Sequence, residues 1–298
     1  MSDEIDLFGN VIEEDVLLRD KFLEPPFSVL DTRGGGWQER KRGWQAIGIK
    51  SEVGRKEGLI YSEKSSIKSF DYYRVKEGEK NGSKEQTSSI FDPALTELIY
   101  RWFCPEGGTI LDPFAGGSVR GIIANYLGYH YLGLELRDEQ VNSNREQAEA
   151  IVPQNKPIWI TGDSNKTLDT ITEDYDFIFS CPPYFDLEVY SDLPDDLSNM
   201  GYSDFLVKYR SIIKKSLARL KPGAFACFVV GEIRDKKGYY RDFVGATKQA
   251  FIENGAGLYN DAILLNVVGT ASMKADRTFS AGKKLIKIHQ NVLVFKKM

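Results

Sequence analysis

Four short segments of the sequence carry side chains suited to binding a small molecule or acting on it. They are residues 112–118 (Asp-Pro-Phe-Ala-Gly-Gly-Ser), Glu135, Asp163 and residues 180–184 (Ser-Cys-Pro-Pro-Tyr). In the first segment, Gly116 and Gly117 let a ligand approach the backbone closely where a helix begins, and Asp112 offers an acceptor at the same point. The chain contains neither the G-x-G-x-x-G of dinucleotide-binding proteins nor the Gly-Lys-Ser/Thr of P-loop proteins. A tight strand-to-helix connection is the structural alternative for this turn.

Two carboxylates further along the chain suit the parts of a nucleoside. Glu135 lies 23 positions after Asp112, and a carboxylate at about this separation can accept hydrogen bonds from both hydroxyls of a ribose. Asp163 follows Gly162 and offers an acceptor for an adenine amino group. An Asx-turn or a helix cap explains Asp163 equally well.

The fourth segment carries the sharpest chemical signal. Consecutive prolines at 182 and 183 break a strand ladder and form a rigid, extended turn. They also lack two N–H donors, which leaves a cluster of backbone carbonyls, and Tyr184 follows immediately. A flat substrate that carries an amino group would suit such a turn, because the carbonyls can accept from the amino group while Tyr184 stacks on the ring.

Alternating strand and helix signals after residue 88 indicate the elements that position these segments. Asp92 followed by Pro93 predicts the start of a helix. Predicted strands cover residues 109–111, 129–134, 157–160, 175–179, 224–230, 262–268 and 291–295. This rhythm predicts an α/β fold with a doubly wound, mostly parallel sheet and helices on both faces. The last two strands lack a helical pattern between them and are expected to form an antiparallel pair at one edge. In such a sheet ligands bind outside the carboxyl ends of the strands, where the four segments lie.

The N-terminal part of the chain has a different character. Residues 1–87 show no long periodic face and are expected to form a small, irregular, loop-rich region. The polar stretch at 76–88 predicts a linker. We therefore divide the chain into an irregular N-terminal region, residues 1–87, and a regular domain, residues 88–298.

Composition excludes several protein classes. With 298 residues, 42% of them hydrophobic and 28% charged, the chain is neither disordered nor a disulfide scaffold. Its three cysteines are isolated and it has only two histidines, so we expect no structural zinc site and no metal. The acidic N-terminus does not resemble a signal peptide, and no apolar run is long enough to span a membrane, so we expect a soluble, cytoplasmic protein.

The net charge of −4 argues against a nucleic-acid partner, but the distribution of charge changes that reading. Residues 1–20 and residues 185–204 each carry −6, whereas residues 31–60 carry +3 and residues 270–298 carry +6. Two basic segments are therefore available to contact phosphates.

The motifs together resemble a known enzyme family. Residues 112–117 combined with residues 181–184 are similar to the S-adenosylmethionine-dependent DNA amino-methyltransferases, the N6-adenine and N4-cytosine enzymes, whose second motif reads Asp/Asn/Ser-Pro-Pro followed by an aromatic residue. The resemblance extends to residues 89–93 and 289–295, and so covers about residues 88–298. Residues 25–41 look like the N-terminal region of methylases carried by phages and prophages.

The resemblance implies a class I methyltransferase fold, which is Rossmann-like, and an activity. A methyl group would pass from S-adenosylmethionine to the exocyclic amino group of a flipped base in double-stranded DNA. Such enzymes serve DNA methylation and restriction-modification in a bacterial or phage-infected cell. By resemblance the cofactor contacts are Phe91, Asp112, Pro113, Phe114, Gly116, Glu135, Asp163 and Ser164, and the target base is held by Cys181, Pro182, Pro183 and Tyr184.

One position departs from the family pattern. Cys181 stands where the family has Asp, Asn or Ser, and a thiol is a weak hydrogen-bond acceptor. Either Ser180 replaces it or the backbone carbonyls accept the amino group. The choice between adenine and cytosine as target stays open.

Charged segments supply candidate DNA contacts. Arg40, Lys41 and Arg42, interleaved with tryptophans, and the pair Lys283 and Lys284 are predicted to contact DNA phosphates. The acidic residues 185–204 are interpreted as a mobile lid, a segment that handles the released proton, or a solvated loop with helix-capping acids.

Two alternative functions are compatible with the same motifs. Methyltransferases that act on RNA or on protein glutamine also use a Pro-Pro-Tyr motif, although the form of residues 112–116 and of residues 289–295 favours DNA. A non-catalytic DNA-binding protein with the same fold is the alternative from another class, and the altered residue at Cys181 is its main support.

Overall fold

The computed structural model describes residues 18–49, 91–185, 191–269 and 271–298. The predicted linker at 76–88 lies outside these residues. The described helices are α1 (Leu18–Phe22), α2 (Gly35–Ala46), α3 (Pro93–Phe103), α4 (Val119–Tyr126), α5 (Asp138–Ile151), α6 (Ser164–Thr167), α7 (Tyr202–Ala218), α8 (Phe243–Ile252) and α9 (Ala271–Gly282). The strands are β1 (Val29–Asp31), β2 (Thr109–Asp112), β3 (His130–Glu135), β4 (Ile158–Thr161), β5 (Tyr175–Ser180), β6 (Leu220–Val230), β7 (Ala256–Leu265) and β8 (His289–Lys297).

The described strands form one eight-stranded sheet in the order β1-β7-β8-β6-β5-β2-β3-β4. Strand β8 runs antiparallel to both β6 and β7, and the other pairings are parallel. The predicted doubly wound, mostly parallel sheet is therefore confirmed, as is the antiparallel pairing of the last two strands on one side of it. Beyond that pair lies the short strand β1, which pairs with β7.

Helices cover both faces of the sheet, and successive side chains of a central strand point alternately into the two buried layers. Phe177 and Phe179 of β5 pack into the layer that holds α2, α3, α4 and α5, whereas Ile178 packs into the layer that holds α7 and α8. Each of these three side chains is fully buried. Strands hidden on both faces read as continuous apolar runs, which is why their positions were predictable from sequence.

The crossover pattern determines where a site can form. From β2 the chain moves outward through β3 to β4, then returns to pair β5 with the other side of β2. The turns that follow β2 and β5 therefore diverge to opposite sides and leave a crevice between them. Residues 112–118 and 180–184 lie at this crevice.

Two expectations are wrong. Residues 18–49 are not an irregular, loop-rich appendage: α2 packs on α3, and β1 extends the main sheet. The only apolar signal in α2 is Trp37 and Trp44, which are both buried and stand two helical turns apart on one face. Between the last two strands, where we expected no helix, α9 forms, and none of its side chains is buried.

Within the described ranges, the structure contains no helix whose length and hydropathy would allow it to cross a membrane.

Candidate active site

One cavity of about 630 Å³ lies at the carboxyl ends of the central strands. Its walls include Gly116 and Gly117 after β2, Glu135 at the end of β3, Asp163 after β4, and residues 181–184 after β5. The structure thus brings together in one space the four segments that the sequence singled out.

Asp112 does not line this cavity, contrary to the expectation that it contacts a ligand. Its side chain is fully buried beneath the turn, where Oδ2 accepts from Arg120 Nε at 2.6 Å and from the Tyr131 hydroxyl at 2.8 Å. Its Oδ1 accepts from the Ser180 hydroxyl at 2.5 Å and from the Phe114 amide at 3.2 Å. Asp112 therefore ties the turn after β2 to the end of β5.

Arg120 completes this buried network and touches the cavity as well. Its Nη2 donates to the carbonyls of Phe114 and Ala115 at 2.7 and 2.9 Å, and its guanidinium lies 4.5 Å from the centre of the Phe91 ring. Burial disfavours the charge on Arg120, but the carboxylate of Asp112, together with Tyr131 and Cys181, outweighs burial and raises the pKa of Arg120. One buried cation thus holds the shape of the cavity wall that Phe91 and Phe114 provide.

Glu135, which also lines the cavity, is held by backbone donors. Its Oε2 accepts from the Gly116 amide and its Oε1 from the Arg137 amide, each at 3.0 Å. Gly116 has a φ of +55°, which a residue with a side chain adopts only with strain. Burial raises the pKa of Glu135 against the lowering effect of Arg137. Each carboxylate oxygen retains a lone pair that can accept from a hydroxyl group in the cavity.

Asp163 caps a helix and also lines the cavity. Its side chain caps α6 by accepting from the Asn165 amide at 3.0 Å, so the helix-cap interpretation is confirmed. Its Oδ2 also lies 3.1 Å from Lys208 Nζ, and the residue lines the cavity. The neighbouring Ser164 donates to the carbonyl of Pro113 at 2.6 Å, which joins the turns after β2 and β4.

The turn after β5 presents its aromatic ring to the cavity. The Tyr184 hydroxyl accepts from Gln290 Nε2 at 2.7 Å and lies 3.4 Å from the Val229 carbonyl. The Cys181 thiol lies 3.7 Å from the same hydroxyl. Ser180 is fully buried and donates to Asp112, so it cannot replace Cys181 as an acceptor for a substrate.

The described part of the acidic segment forms a wall of the cavity. Asp195, Asp196 and Leu197 line it. Lys208 donates to the Asp195 carbonyl at 2.8 Å, and Asp196 is buried and caps a short 3₁₀ helix through the Ser198 amide at 2.8 Å. For Asp196 the helix-capping interpretation is confirmed. Residues 186–190 of the predicted lid lie outside the described residues.

The predicted basic contacts divide into two groups. Arg40 Nη1 lies 3.1 Å from Glu97, and Lys41 Nζ lies 3.3 Å from Asp92, so both side chains anchor α2 to α3. Lys41 also lines the cavity. Arg42 and Lys283 are exposed, and Lys284 lies beside Gly238.

Two features of the structure were missed in the sequence analysis. Residues 234–241 form a hairpin in which Tyr239 is 72% exposed and lies close in sequence to Lys236 and Lys237. The alternation of basic and aromatic residues in this segment was the signal that could have identified it. Glu232 follows the end of β6 and lines the cavity. An acidic residue shortly after a buried strand is the same signal that pointed to Glu135 and Asp163.

Comparison with known proteins bears on the family. Residues 35–146 match the family of N6/N4 methyltransferases described as DNA methylase. The predicted resemblance to the DNA methylase family is confirmed. The match begins at the first residue of α2 and ends within α5, so it includes the turn after β2 and Glu135.

One curated relative is the type II methyltransferase M2.DpnII of Streptococcus pneumoniae. It is 23% identical over 113 residues, which cover 32% of this chain and 42% of that protein. The chain therefore aligns with less than half of the relative's length.

Solved structures with a similar fold include two further proteins. TrmN from Thermus thermophilus has a TM-score of 0.49 and 16% identity, over 70% of this chain and 49% of that one. Magnesium protoporphyrin IX methyltransferase from Synechocystis, with bound SAM, has a TM-score of 0.45 and 12% identity, over 77% of this chain and 91% of that one. We therefore infer the substrate from the chemistry of the site and not from these likenesses.

Proposed function

We propose that this chain transfers the methyl group of S-adenosylmethionine to the exocyclic amino group of a DNA base, the N6 of adenine or the N4 of cytosine. The observation that supports this most directly is that the Gly116–Glu135–Asp163 side and the Cys-Pro-Pro-Tyr turn share one cavity. A nucleoside-bearing cofactor and a flat amino-bearing base would thus meet in one space.

The residues on the first side of the cavity fit the cofactor. Glu135 has lone pairs for the ribose hydroxyls, Asp163 is an acceptor for the adenine amino group, and Phe114 offers a ring face. At the other end, Asp92 and Lys41 form a pair of opposite charges 3.3 Å apart, which complements the zwitterionic amino-acid part. When bound, S-adenosylmethionine supplies an electrophilic methyl group on a sulfonium sulfur.

The residues on the second side fit the base. The amino nitrogen of adenine or cytosine is a poor nucleophile, because its lone pair is delocalised into the ring. Acceptors at Cys181 and Pro182 would bind its N–H groups, favour a pyramidal nitrogen and orient the lone pair. Tyr184 would stack on the ring and partly offset the stacking lost when the base leaves the duplex. Orientation and preorganised acceptors would supply most of the acceleration.

Basic and aromatic groups lie on the segments that follow β6 and precede β8. The hairpin 234–241 follows β6 directly, and Lys284 reaches it at Gly238. Helix α9 exposes Met273 and Phe279 next to Arg277. We propose that these elements contact the DNA backbone, together with Arg42 of the N-terminal region.

The decisive experiment offers labelled S-adenosylmethionine with DNA, RNA and protein as acceptors. We expect label in DNA, and digestion to nucleosides will distinguish N6-methyladenine from N4-methylcytosine. Label in RNA or protein alone would contradict the proposed substrate.

Two variants test the assigned base site. Tyr184→Ala and Pro182→Ala are expected to lose methyl transfer while they still bind S-adenosylmethionine. Wild-type transfer rates in both variants would show that the base site has been assigned to the wrong residues.

A further inference from the structure

The Cys-Pro-Pro-Tyr turn lacks a strong side-chain acceptor at the position where a substrate amino group would lie. The Cys181 thiol is a weak acceptor. The Ser180 hydroxyl is buried and donates to Asp112 at 2.5 Å. If a side chain accepts from the amino group of the target base, it must come from another element of the cavity.

Glu232 meets this requirement by its position. Strands β5 and β6 are parallel neighbours with Ser180 paired to Phe228, so the chain beyond β6 runs alongside the turn after β5. A side-chain carbon placed on Gly231 would lie 4.0 Å from Cζ of Tyr184. Glu232, the next residue, lines the same cavity as Cys181 and Pro182.

The carboxylate of Glu232 is held in one orientation by helix α8. Its Oε2 accepts from the Phe243 amide at 3.2 Å and its Oε1 from the Val244 amide at 2.9 Å. The Phe243 ring in turn lies edge-on to the Tyr184 ring, with centroids 6.2 Å apart. One backbone hydrogen bond to each oxygen leaves a further lone pair on each.

Helix α8 has an N-cap residue of its own, and it binds a different amide from the two that Glu232 binds. Asp242 occupies the N-cap position and accepts from the Gly245 amide at 3.2 Å. Glu232 reaches the same helix end from the loop after β6, and it alone of the two lines the cavity. The second cap therefore fixes a carboxylate beside the proposed base site.

We propose that Glu232 is a catalytic residue that accepts a hydrogen bond from the exocyclic amino group of the target base, in place of the acidic or polar side chain that Cys181 lacks. This assignment rests on the proposed function. The carboxylate would bind one N–H of the base and favour the pyramidal nitrogen, and it would form no covalent bond to the substrate.

The test compares Glu232→Gln with Asp242→Asn, a matched variant that alters a cap of the same helix away from the cavity. For each we measure melting temperature, S-adenosylmethionine affinity, DNA affinity and the single-turnover rate of methyl transfer to DNA. Glu232→Gln is expected to lower that rate at least tenfold with cofactor affinity unchanged, and Asp242→Asn to leave the rate within twofold of wild type. A wild-type rate in Glu232→Gln overturns the inference, as do equal rate losses in the two variants at equal loss of melting temperature.

A second variant covers the case in which Glu232→Gln does not fold. Glu232→Asp keeps a carboxylate but withdraws it by one methylene, and we expect a reduced rate at a melting temperature close to that of wild type. A folded Glu232→Asp with an undiminished rate overturns the inference. If the wild-type protein labels neither DNA, RNA nor protein, the proposed function fails and Glu232 fails with it, whereas an active wild type with active variants refutes the role of Glu232 alone.

Discussion

Replacement of Arg120 by methionine tests whether the buried network beneath the cavity holds it in shape. The Arg120 and Asp112 side chains are 5% and 0% exposed, and their atoms are 2.6 Å apart. Removal of one partner from such a pair leaves a buried, uncompensated charge, which costs about 3–5 kcal/mol. At about 2–4 °C per kcal/mol, the melting temperature of Arg120→Met should fall by about 6–20 °C.

The assay is thermal unfolding followed by circular dichroism, with a double-mutant cycle as its internal check. Asp112→Asn alone should also destabilise the protein, because it leaves the Arg120 charge buried. Combined with Arg120→Met it should cost clearly less than the sum of the two single changes, since neither charge remains. Arg145→Met is the control, because it replaces an arginine that also donates to a backbone carbonyl, that of Trp159 at 2.8 Å, but from an exposed position. The loss of unfolding free energy in this variant should stay within about 0.5 kcal/mol.

The same variant should weaken the site as well as the fold. Without Arg120, the carbonyls of Phe114 and Ala115 lose their donor and the Phe91 ring loses its cation. We expect the dissociation constant for S-adenosylmethionine to rise at temperatures where the variant is folded. A melting temperature within 2 °C of wild type, or strictly additive losses in the cycle, would refute the reasoning that a buried ion pair holds this wall.

Three further outcomes follow from individual contacts. Glu135→Gln should raise the dissociation constant for S-adenosylmethionine about tenfold or more, as for a lost charged hydrogen bond. Because burial raises the pKa of Glu135, wild-type affinity for the cofactor should be complete above that raised pKa and should fall as the pH is lowered through it. A calorimetric titration that shows no such fall, or the same fall in Glu135→Gln, would contradict the assignment. Tyr184→Phe and Gln290→Ala each remove one partner of a 2.7 Å hydrogen bond and should lower kcat about fivefold without a change in the KM for the cofactor. The double variant should be no slower than either single variant. Additive losses in kcat would mean that Gln290 does not position the Tyr184 ring. Replacement of Lys236 and Lys237 by alanine should reduce the slope of log DNA affinity against log salt concentration by about 2. Lys214→Ala, on the outer face of α7, is the control and should leave the slope unchanged. An unchanged slope in the Lys236 and Lys237 variant would exclude the hairpin from the DNA-binding surface.

Local sequence alone determined the strands, the turns that follow them and the family resemblance. Buried parallel strands are continuous apolar runs, and the turns after them contain glycine or proline for reasons of backbone geometry, so both can be read without knowledge of the fold. Because all these turns lie at one edge of a doubly wound sheet, the shared location of Gly116, Glu135, Asp163 and Tyr184 was also predictable.

Only the tertiary structure decided which way individual side chains point. Asp112 ends β2 in the same position as Glu135 ends β3, yet it faces Arg120, Tyr131 and Ser180 and not the cavity. Nothing within four or five residues of Asp112 specifies this, because Tyr131 and Ser180 belong to neighbouring strands that lie 19 and 68 positions away.

The structure also decided how distant segments are used. Helix α2 carries only two buried side chains, too few for a periodic pattern, and its charges are explained by Asp92 and Glu97 on α3. Glu232 faces the cavity because the backbone of α8, eleven residues further on, binds its carboxylate. Sequence specifies contacts within a strand or a turn, whereas hydrogen bonds between elements depend on how the sheet brings those elements together.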